Sequence, residues 1–248
     1  MLPESKTDTN LAVKLKNAVA YETAGKYESA LMSLDEAISI KADYEDAWLI
    51  KGVIYSKLGK CSEASNCFDK VIALAPKYPI PWRLKAATFV SINQHEKAVD
   101  CFEKALELDP LNLEYRLGLA LSLQKLKRFG DALNCYSEAK KQKPSDPQIE
   151  YFIGIMWGNM ADYQKALASF EEALRLKPDF PNALLAKGIV LSKLGKKEEA
   201  KQIADKLLET RSTPEKETPK ESQSLNESIK NEFKAAQKRF NEKFSTPA

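Results

Sequence analysis

Residues 45–78 read EDAWLIKGVIYSKLGKCSEASNCFDKVIALAPKY, and this stretch of 34 residues sets the pattern for most of the chain. Its landmarks are, in order, Trp48, Gly52, Tyr55, Gly59, Ala64, Phe68 and Pro76. Gly59 lies midway, where a residue in the left-handed conformation ends a helix at little cost. The stretch therefore predicts two helices joined by a short turn.

The same landmarks recur along the chain at steps of 34 residues. The prolines are Pro76, Pro110, Pro144 and Pro178, and the alanines are Ala30, Ala64, Ala98, Ala132, Ala166 and Ala200. A small residue is needed where two helices cross at about 8–10 Å. Large side chains, Leu34, Phe68, Phe102, Tyr136 and Phe170, form the complementary column. These columns divide the chain into six repeats, residues 11–44, 45–78, 79–112, 113–146, 147–180 and 181–212.

These residues reproduce the tetratricopeptide pattern W-x2-L-G-x2-Y…A-x3-F…P, with one departure, Lys51 in the leucine position. The chain therefore resembles the tetratricopeptide repeat (TPR) family over about residues 11–212. The resemblance implies an all-α fold, a right-handed superhelical solenoid of six helix-turn-helix repeats. As a function it implies non-enzymatic protein–protein interaction.

The two ends of the chain differ in composition from the repeats. Residues 1–10 are polar and are predicted to be unstructured, with Thr9 or Asn10 capping the first helix. Residues 211–222 contain two prolines and alternating charges, which predicts a flexible linker. Residues 223–245 are predicted to form a tethered C-terminal amphipathic helix, followed by a tail at 246–248. Its docking face consists of Leu225, Ile229, Phe233, Phe240 and Phe244.

Composition narrows the class of partner. The formal net charge is +3, from 38 basic and 35 acidic residues, so the basic excess of a nucleic-acid-binding protein is missing. No apolar run approaches the roughly 20 residues that span a bilayer, and the N-terminus lacks the apolar core of a secretory signal. We therefore expect a cytoplasmic protein with protein or peptide partners, without nucleic acid and without a cofactor.

The residues that could carry chemistry fall into the repeat columns instead of forming a site. Cys67, Cys101 and Cys135 lie one repeat apart, farther than the Cα separation of about 7 Å that a disulfide allows, so free thiols are predicted. The single histidine, His95, and Cys61 share a column with aromatic residues, and no paired acid or nucleophile accompanies the histidine. We therefore expect no enzyme and no metal site.

The resemblance implies that the first helix of each repeat faces a concave groove with its positions 2, 5, 9, 12 and 13. The candidate groove residues are Leu15, Val19, Leu49, Val53, Lys57, Arg83, Leu117, Leu121, Lys125, Tyr151, Ile155, Asn159, Leu185, Ile189 and Lys193. The residues of the subclass that clamps a carboxylate terminus are missing from the corresponding places. An apolar floor edged by lysines favours an amphipathic helix or extended peptide with acidic residues. The alternative is that many of these side chains pack between neighbouring first helices.

Two alternative functions involve the C-terminal helix. It could occupy the groove of its own array or of a second copy, which allows a homodimer, or it could bind another protein. Peripheral membrane attachment is a further alternative, because residues 223–245 carry five Lys or Arg and three Glu on a Phe-rich helix. The small charge excess makes the membrane the weaker expectation.

Overall fold

The computed structural model describes residues 6–211, and this part is entirely helical, which confirms the all-α prediction. Its twelve helices are α1 (Lys6–Thr23), α2 (Tyr27–Ile40), α3 (Glu45–Lys57), α4 (Cys61–Leu74), α5 (Ile80–Ser91), α6 (His95–Leu108), α7 (Leu113–Lys125), α8 (Phe129–Gln142), α9 (Pro147–Asn159), α10 (Tyr163–Leu176), α11 (Pro181–Lys193) and α12 (Lys197–Arg211). Consecutive pairs form the repeats. The odd-numbered helices are called first helices below, and the even-numbered ones second helices.

The N-terminus differs from the expectation. Residues 6–10 belong to α1, so the unstructured segment predicted for residues 1–10 is wrong there, and Thr9 and Asn10 lie inside the helix instead of capping it. Both side chains are exposed, and a polar turn can extend a helix because its hydrogen bonds come from the backbone alone. The predicted segments at 212–248 lie outside the described residues.

The chain divides into two compact units, residues 1–204 and 205–248. The second unit is described only as far as the end of α12. The fold and the candidate site discussed below belong to the first unit.

Every turn between the two helices of a repeat contains one residue with positive φ, at the same position of the repeat. These residues are Gly25, Gly59, Asn93, Lys127, Ala161 and Gly195, with φ between 59° and 77°. In the first turn the Lys26 N–H donates to the Tyr21 carbonyl at 2.8 Å, which closes the end of α1. The three glycines mark this conformation in the sequence, whereas Asn93, Lys127 and Ala161 adopt it because the hairpin requires it.

The interior is built from the alanine and aromatic columns. Ala30, Ala64, Ala98, Ala132 and Ala166 are completely buried. The aromatic rings lie against glycines of first helices: a Cβ placed on Gly52 would lie 2.6 Å from the ring of Phe68, and one on Gly154 equally close to Phe170. Gly118, which the repeat pattern did not explain, receives the ring of Phe102 from the preceding repeat, with 2.5 Å to a Cβ placed there. Glycine thus makes room both within a repeat and between repeats.

The packing of the helices also shows which face is concave. Neighbouring first helices approach each other in the pairs α1–α3, α3–α5, α5–α7 and α9–α11, whereas no pair of neighbouring second helices in the described part does so to the same extent. A stack whose layers are closer on one side curves towards that side, so the first helices line the concave face.

Candidate functional site

The concave face offers little apolar surface in its first three repeats. Leu15, Leu49 and Val53 are only 2–8% exposed, and Arg83 is 1% exposed. These four predicted groove residues are therefore buried and offer little surface to a ligand. Val19 is partly buried.

The apolar surface lies instead in repeats four to six. Leu121 is 43% exposed on α7, and Leu185 and Ile189 are 51% and 56% exposed on α11. Leu117 and Ile155 are partly buried beside them. Apolar side chains that share one face can form a contiguous patch, and patches of this kind mark interaction sites. We call Leu121, Ile155, Leu185 and Ile189 the apolar floor.

Tyr151 has a structural role in addition to its place in the groove column. Its ring centroid lies 5.5 Å from that of Phe152, 5.9 Å from that of Phe170 and 5.2 Å from that of Phe180. Phe152 in turn stacks on Tyr136 of α8 at 5.2 Å. Aromatic pairs at these distances stabilise a core beyond their buried area. The tyrosine therefore anchors α9 against its neighbours.

Internal ion pairs cross the concave face of the first three repeats. The Lys57 ammonium of α3 contacts the carboxylate of Glu22 on α1, which is only 5% exposed. Arg83 on α5 pairs with Glu114 on α7 at 3.3 Å. The hydroxyls of Ser56 and Thr88 lie 2.9 Å apart between α3 and α5. These two ion pairs and this hydrogen bond therefore connect neighbouring first helices in this part of the array.

The remaining polar residues of the predicted groove are exposed. Lys125 and Lys193 lie at the ends of α7 and α11, and neither forms an ion pair within residues 6–205. Asn159 is exposed at the end of α9. Lys57 belongs to the same column, but its charge is already neutralised by Glu22.

A second set of ion pairs connects three first helices, α3, α5 and α11, to the second helix that precedes each of them. Lys51 pairs with Asp35, Lys85 with Asp69 at 2.6 Å, and Lys187 with Glu171 at 2.9 Å. The residues of each pair are 16 positions apart, a regularity that is visible in the sequence but that sequence reasoning missed. Sequence reasoning also missed Glu22 and Glu114 as the partners of Lys57 and Arg83. Glu22 precedes Lys57 by 35 residues, which is one repeat plus one residue. These pairs hold adjacent repeats in register.

The cysteines are free thiols within the repeats. Cys67 and Cys101 are each 4% exposed, and burial raises the pKa of both thiols to about 11, although Lys51 and Lys85 oppose the shift. Burial also raises the pKa of Cys135. Because the thiolate is the reactive form, these side chains are packing residues at neutral pH.

We therefore expect a thiol reagent at pH 7.5 to modify Cys61, which is partly exposed, and to leave Cys67 and Cys101 intact in the folded protein. Peptide mass spectrometry measures this, and the same reaction in denaturant should modify all four. A raised thiol pKa stabilises the fold below the unfolded value of about 8.5, and that contribution is lost as the pH rises through the folded value of about 11. Modification of Cys67 or Cys101 as fast as Cys61 at pH 7.5 would contradict the assignment.

Other candidate chemistry is not assembled in the described part of the chain. No group of three or more His, Cys, Asp or Glu residues that could hold a metal occurs among the described residues. His95 lies partly buried at the start of α6. The predicted docking helix with Leu225, Ile229, Phe233, Phe240 and Phe244 lies outside the described residues.

The fold and the concave face define a solenoid of helical hairpins, a class of protein-interaction module. A family model described as tetratricopeptide repeat matches residues 22–88, 93–153 and 160–215, well over half of the chain. The chain therefore belongs to the tetratricopeptide repeat family, which confirms the resemblance seen in the sequence.

Solved structures share the fold at low sequence identity. MamA from Desulfovibrio magneticus RS-1, residues 41 to the end, is 18% identical with a TM-score of 0.64, over 69% of this chain and 97% of that one. YrrB, described as a TPR protein with an unusual peptide-binding site, is 22% identical with a TM-score of 0.61, over 70% of this chain and 90% of that one. No curated protein matched the sequence. None of the described helices is long and apolar enough to cross a membrane.

Proposed function

We propose that the chain is a non-enzymatic scaffold that binds a segment of another protein on the concave face of repeats four to six. The observation that carries the proposal is the exposure of Leu121, Leu185 and Ile189 on first helices. Each large aliphatic side chain contributes roughly 1.5–3 kcal/mol when it is fully buried, so a ligand that covers the apolar floor gains substantial free energy.

The position of these residues supports a groove ligand rather than scattered surface residues. Leu121 lies on α7, Ile155 on α9, and Leu185 and Ile189 on α11. The floor therefore extends over three repeats, as long as an extended or helical segment needs. The peptide-binding site named for YrrB, which has the same fold, is consistent with this kind of ligand.

A random 16-residue peptide library displayed on phage and selected on the full chain tests the proposal. We expect enriched peptides whose affinity falls by a factor of 10 or more in the double variant Leu185→Ser with Ile189→Ser, because both side chains lose their apolar contact with the ligand. Calorimetry on synthetic copies of the peptides measures the affinity. Both positions are more than half exposed, so the substitutions leave the fold intact.

The matched control changes two apolar residues that lie away from the first helices and are more exposed than Leu185 and Ile189. Met32 on α2 is 65% exposed, and Leu111, which precedes α7, is 79% exposed. Met32→Ser with Leu111→Ser should leave the affinity unchanged. If no peptides are enriched, or if those selected bind the Leu185 and Ile189 variant as well as the control, the groove is not the binding site.

A further inference from the structure

In the last turns of neighbouring first helices, position 12 of one repeat can be compared with position 13 of the next repeat, 35 residues later. Glu22 of α1 precedes Lys57 of α3 by 35 residues, and the two form the buried ion pair described above. The repeat places four further pairs in the same relation: Ser56 with Ser91, Val90 with Lys125, Gln124 with Asn159, and Gly158 with Lys193. Two of these pairs match in polarity, serine with serine and glutamine with asparagine. The two mismatched pairs are those that contain Lys125 and Lys193.

At both mismatched pairs the internal carboxylate is replaced by a residue that cannot neutralise a lysine. Neighbouring first helices approach each other at these junctions, α5 with α7 and α9 with α11, as α1 and α3 do at the Glu22 pair. A Cβ placed on Gly158 would have only the Ala166 Cβ within 4 Å, at 4.0 Å, whereas at the other junction the apolar side chain of Val90 packs against the core. Lys125 and Lys193 therefore present the same cation as Lys57 without its anion.

We infer that Lys125 and Lys193 bind two carboxylates of the ligand, as Lys57 binds the carboxylate of Glu22. The inference rests on the proposed function and specifies its partner as an acidic segment of another protein, with apolar residues against Leu185 and Ile189. The ion pair of Lys57 shows that a lysine at this position can hold a carboxylate on the concave face. Charge complementarity then orients the ligand on the apolar floor.

The repeat also sets the separation of the two acidic groups. Lys125 and Lys193 are two repeats apart, and neighbouring helices pack at about 8–10 Å, so their separation is roughly 16–20 Å. An extended ligand spans that distance with about five or six residues at ~3.3 Å each. A helical ligand needs about 11–13 residues at 1.5 Å each.

Two other roles for these charges are separable from ligand binding. Lys125 and Lys193 lie in the last turns of α7 and α11, where a cation also stabilises the helix dipole, an effect on stability and not on ligand choice. The chain's own residues 223–245 carry five Lys or Arg and three Glu, which is the wrong balance for a groove edged by lysines. The favoured occupant is therefore a separate, acidic protein.

The peptides selected on the full chain test the inference directly. We expect them to be rich in Asp and Glu, and to lose affinity by a factor of 10 or more for Lys125→Gln with Lys193→Gln. The control Lys70→Gln with Lys77→Gln removes the same charge from exposed lysines outside the groove positions and should change the affinity less than twofold. Thermal unfolding of both variants shows whether stability is matched.

A second variant restores the missing carboxylate within the chain. Gly158→Glu places an acid at the repeat position of Glu22, in the relation to Lys193 that Glu22 has to Lys57. We expect it to lower the affinity for the acidic peptides by a factor of 10 or more. Gly158→Gln has nearly the same size without the charge and should weaken them much less. Equal affinities for the two variants would overturn the assignment of Lys193.

The remaining outcomes separate this inference from the proposed function. Peptides that require Leu185 and Ile189 but show no excess of Asp or Glu would overturn the acidic ligand and leave the groove as the binding site. Peptides whose affinity does not depend on Leu185 and Ile189 would overturn both the proposed groove function and the acidic ligand. Competition by a synthetic 223–248 peptide against the selected peptides would show that the chain's own C-terminal segment is the occupant, which overturns the separate acidic partner.

Discussion

Replacement of Phe102 by alanine is expected to lower the free energy of unfolding by about 3–5 kcal/mol. Phe102 is 4% exposed, and its ring fills the space beside Gly118 on α7, so the change leaves a cavity at the junction of repeats three and four. A solenoid has no long-range contacts that could compensate, because each repeat packs only on its neighbours. Urea unfolding followed by circular dichroism measures the loss.

The glycine on the other side of this contact gives the control. Gly118→Ala would place a Cβ 2.5 Å from the Phe102 ring, and overpacking of this kind costs about 1–3 kcal/mol. Gly130 in α8 has nothing within 4 Å of such a Cβ, so Gly130→Ala should be neutral or stabilising by up to about 1 kcal/mol. If the two alanine variants have the same stability, the Phe102 contact is not a constraint between repeats.

Replacement of Lys57 by methionine is expected to cost about 2–3 kcal/mol, because it leaves the carboxylate of Glu22 buried without its cation. The Glu22 side chain is 4% exposed and that of Lys57 is 29% exposed. Removal of one partner from a fully buried pair costs about 3–5 kcal/mol, and the partial exposure of Lys57 reduces that value. Chemical denaturation at neutral pH provides the measurement.

Two comparisons isolate the ion pair from the loss of a surface lysine. Lys70→Met removes an exposed lysine and should change stability by less than about 0.5 kcal/mol. The double variant Glu22→Leu with Lys57→Met should recover most of the loss, because two apolar side chains of similar size replace the pair. An equal effect of Lys57→Met and Lys70→Met would show that Glu22 does not depend on Lys57.

The hairpins were predictable because their requirements are local and repeat every 34 residues. A close crossing of two helices is indicated by a small residue next to a large ring, as at Ala98 and Phe102 or at Ala132 and Tyr136. The N-terminal extension of α1 was not predictable, because residues 6–10 are polar and exposed and carry no periodic pattern. A side chain at Gly118 would clash with Phe102 of the preceding repeat. This contact between repeats could not be predicted from the sequence.

The exposure of the groove residues could not be read from the repeat columns. Leu49 and Leu185 occupy the same position of their repeats, yet they are 7% and 51% exposed. Leu49 lies on α3, between α1 and α5, whereas no further first helix follows α11 in the described residues. Val53 and Leu121 also share a position of their repeats, yet they are 8% and 43% exposed.

The amino-acid sequence therefore established the family and the repeated helical hairpins, since both depend on spacing along the chain. Which members of a column face solvent, and which charges neutralise one another, depended on tertiary packing. Glu22 and Lys57 are 35 residues apart, and Val90 and Gly158 leave Lys125 and Lys193 without such a partner. Burial and ion pairing arise from contacts between repeats, and the distances between helices set them.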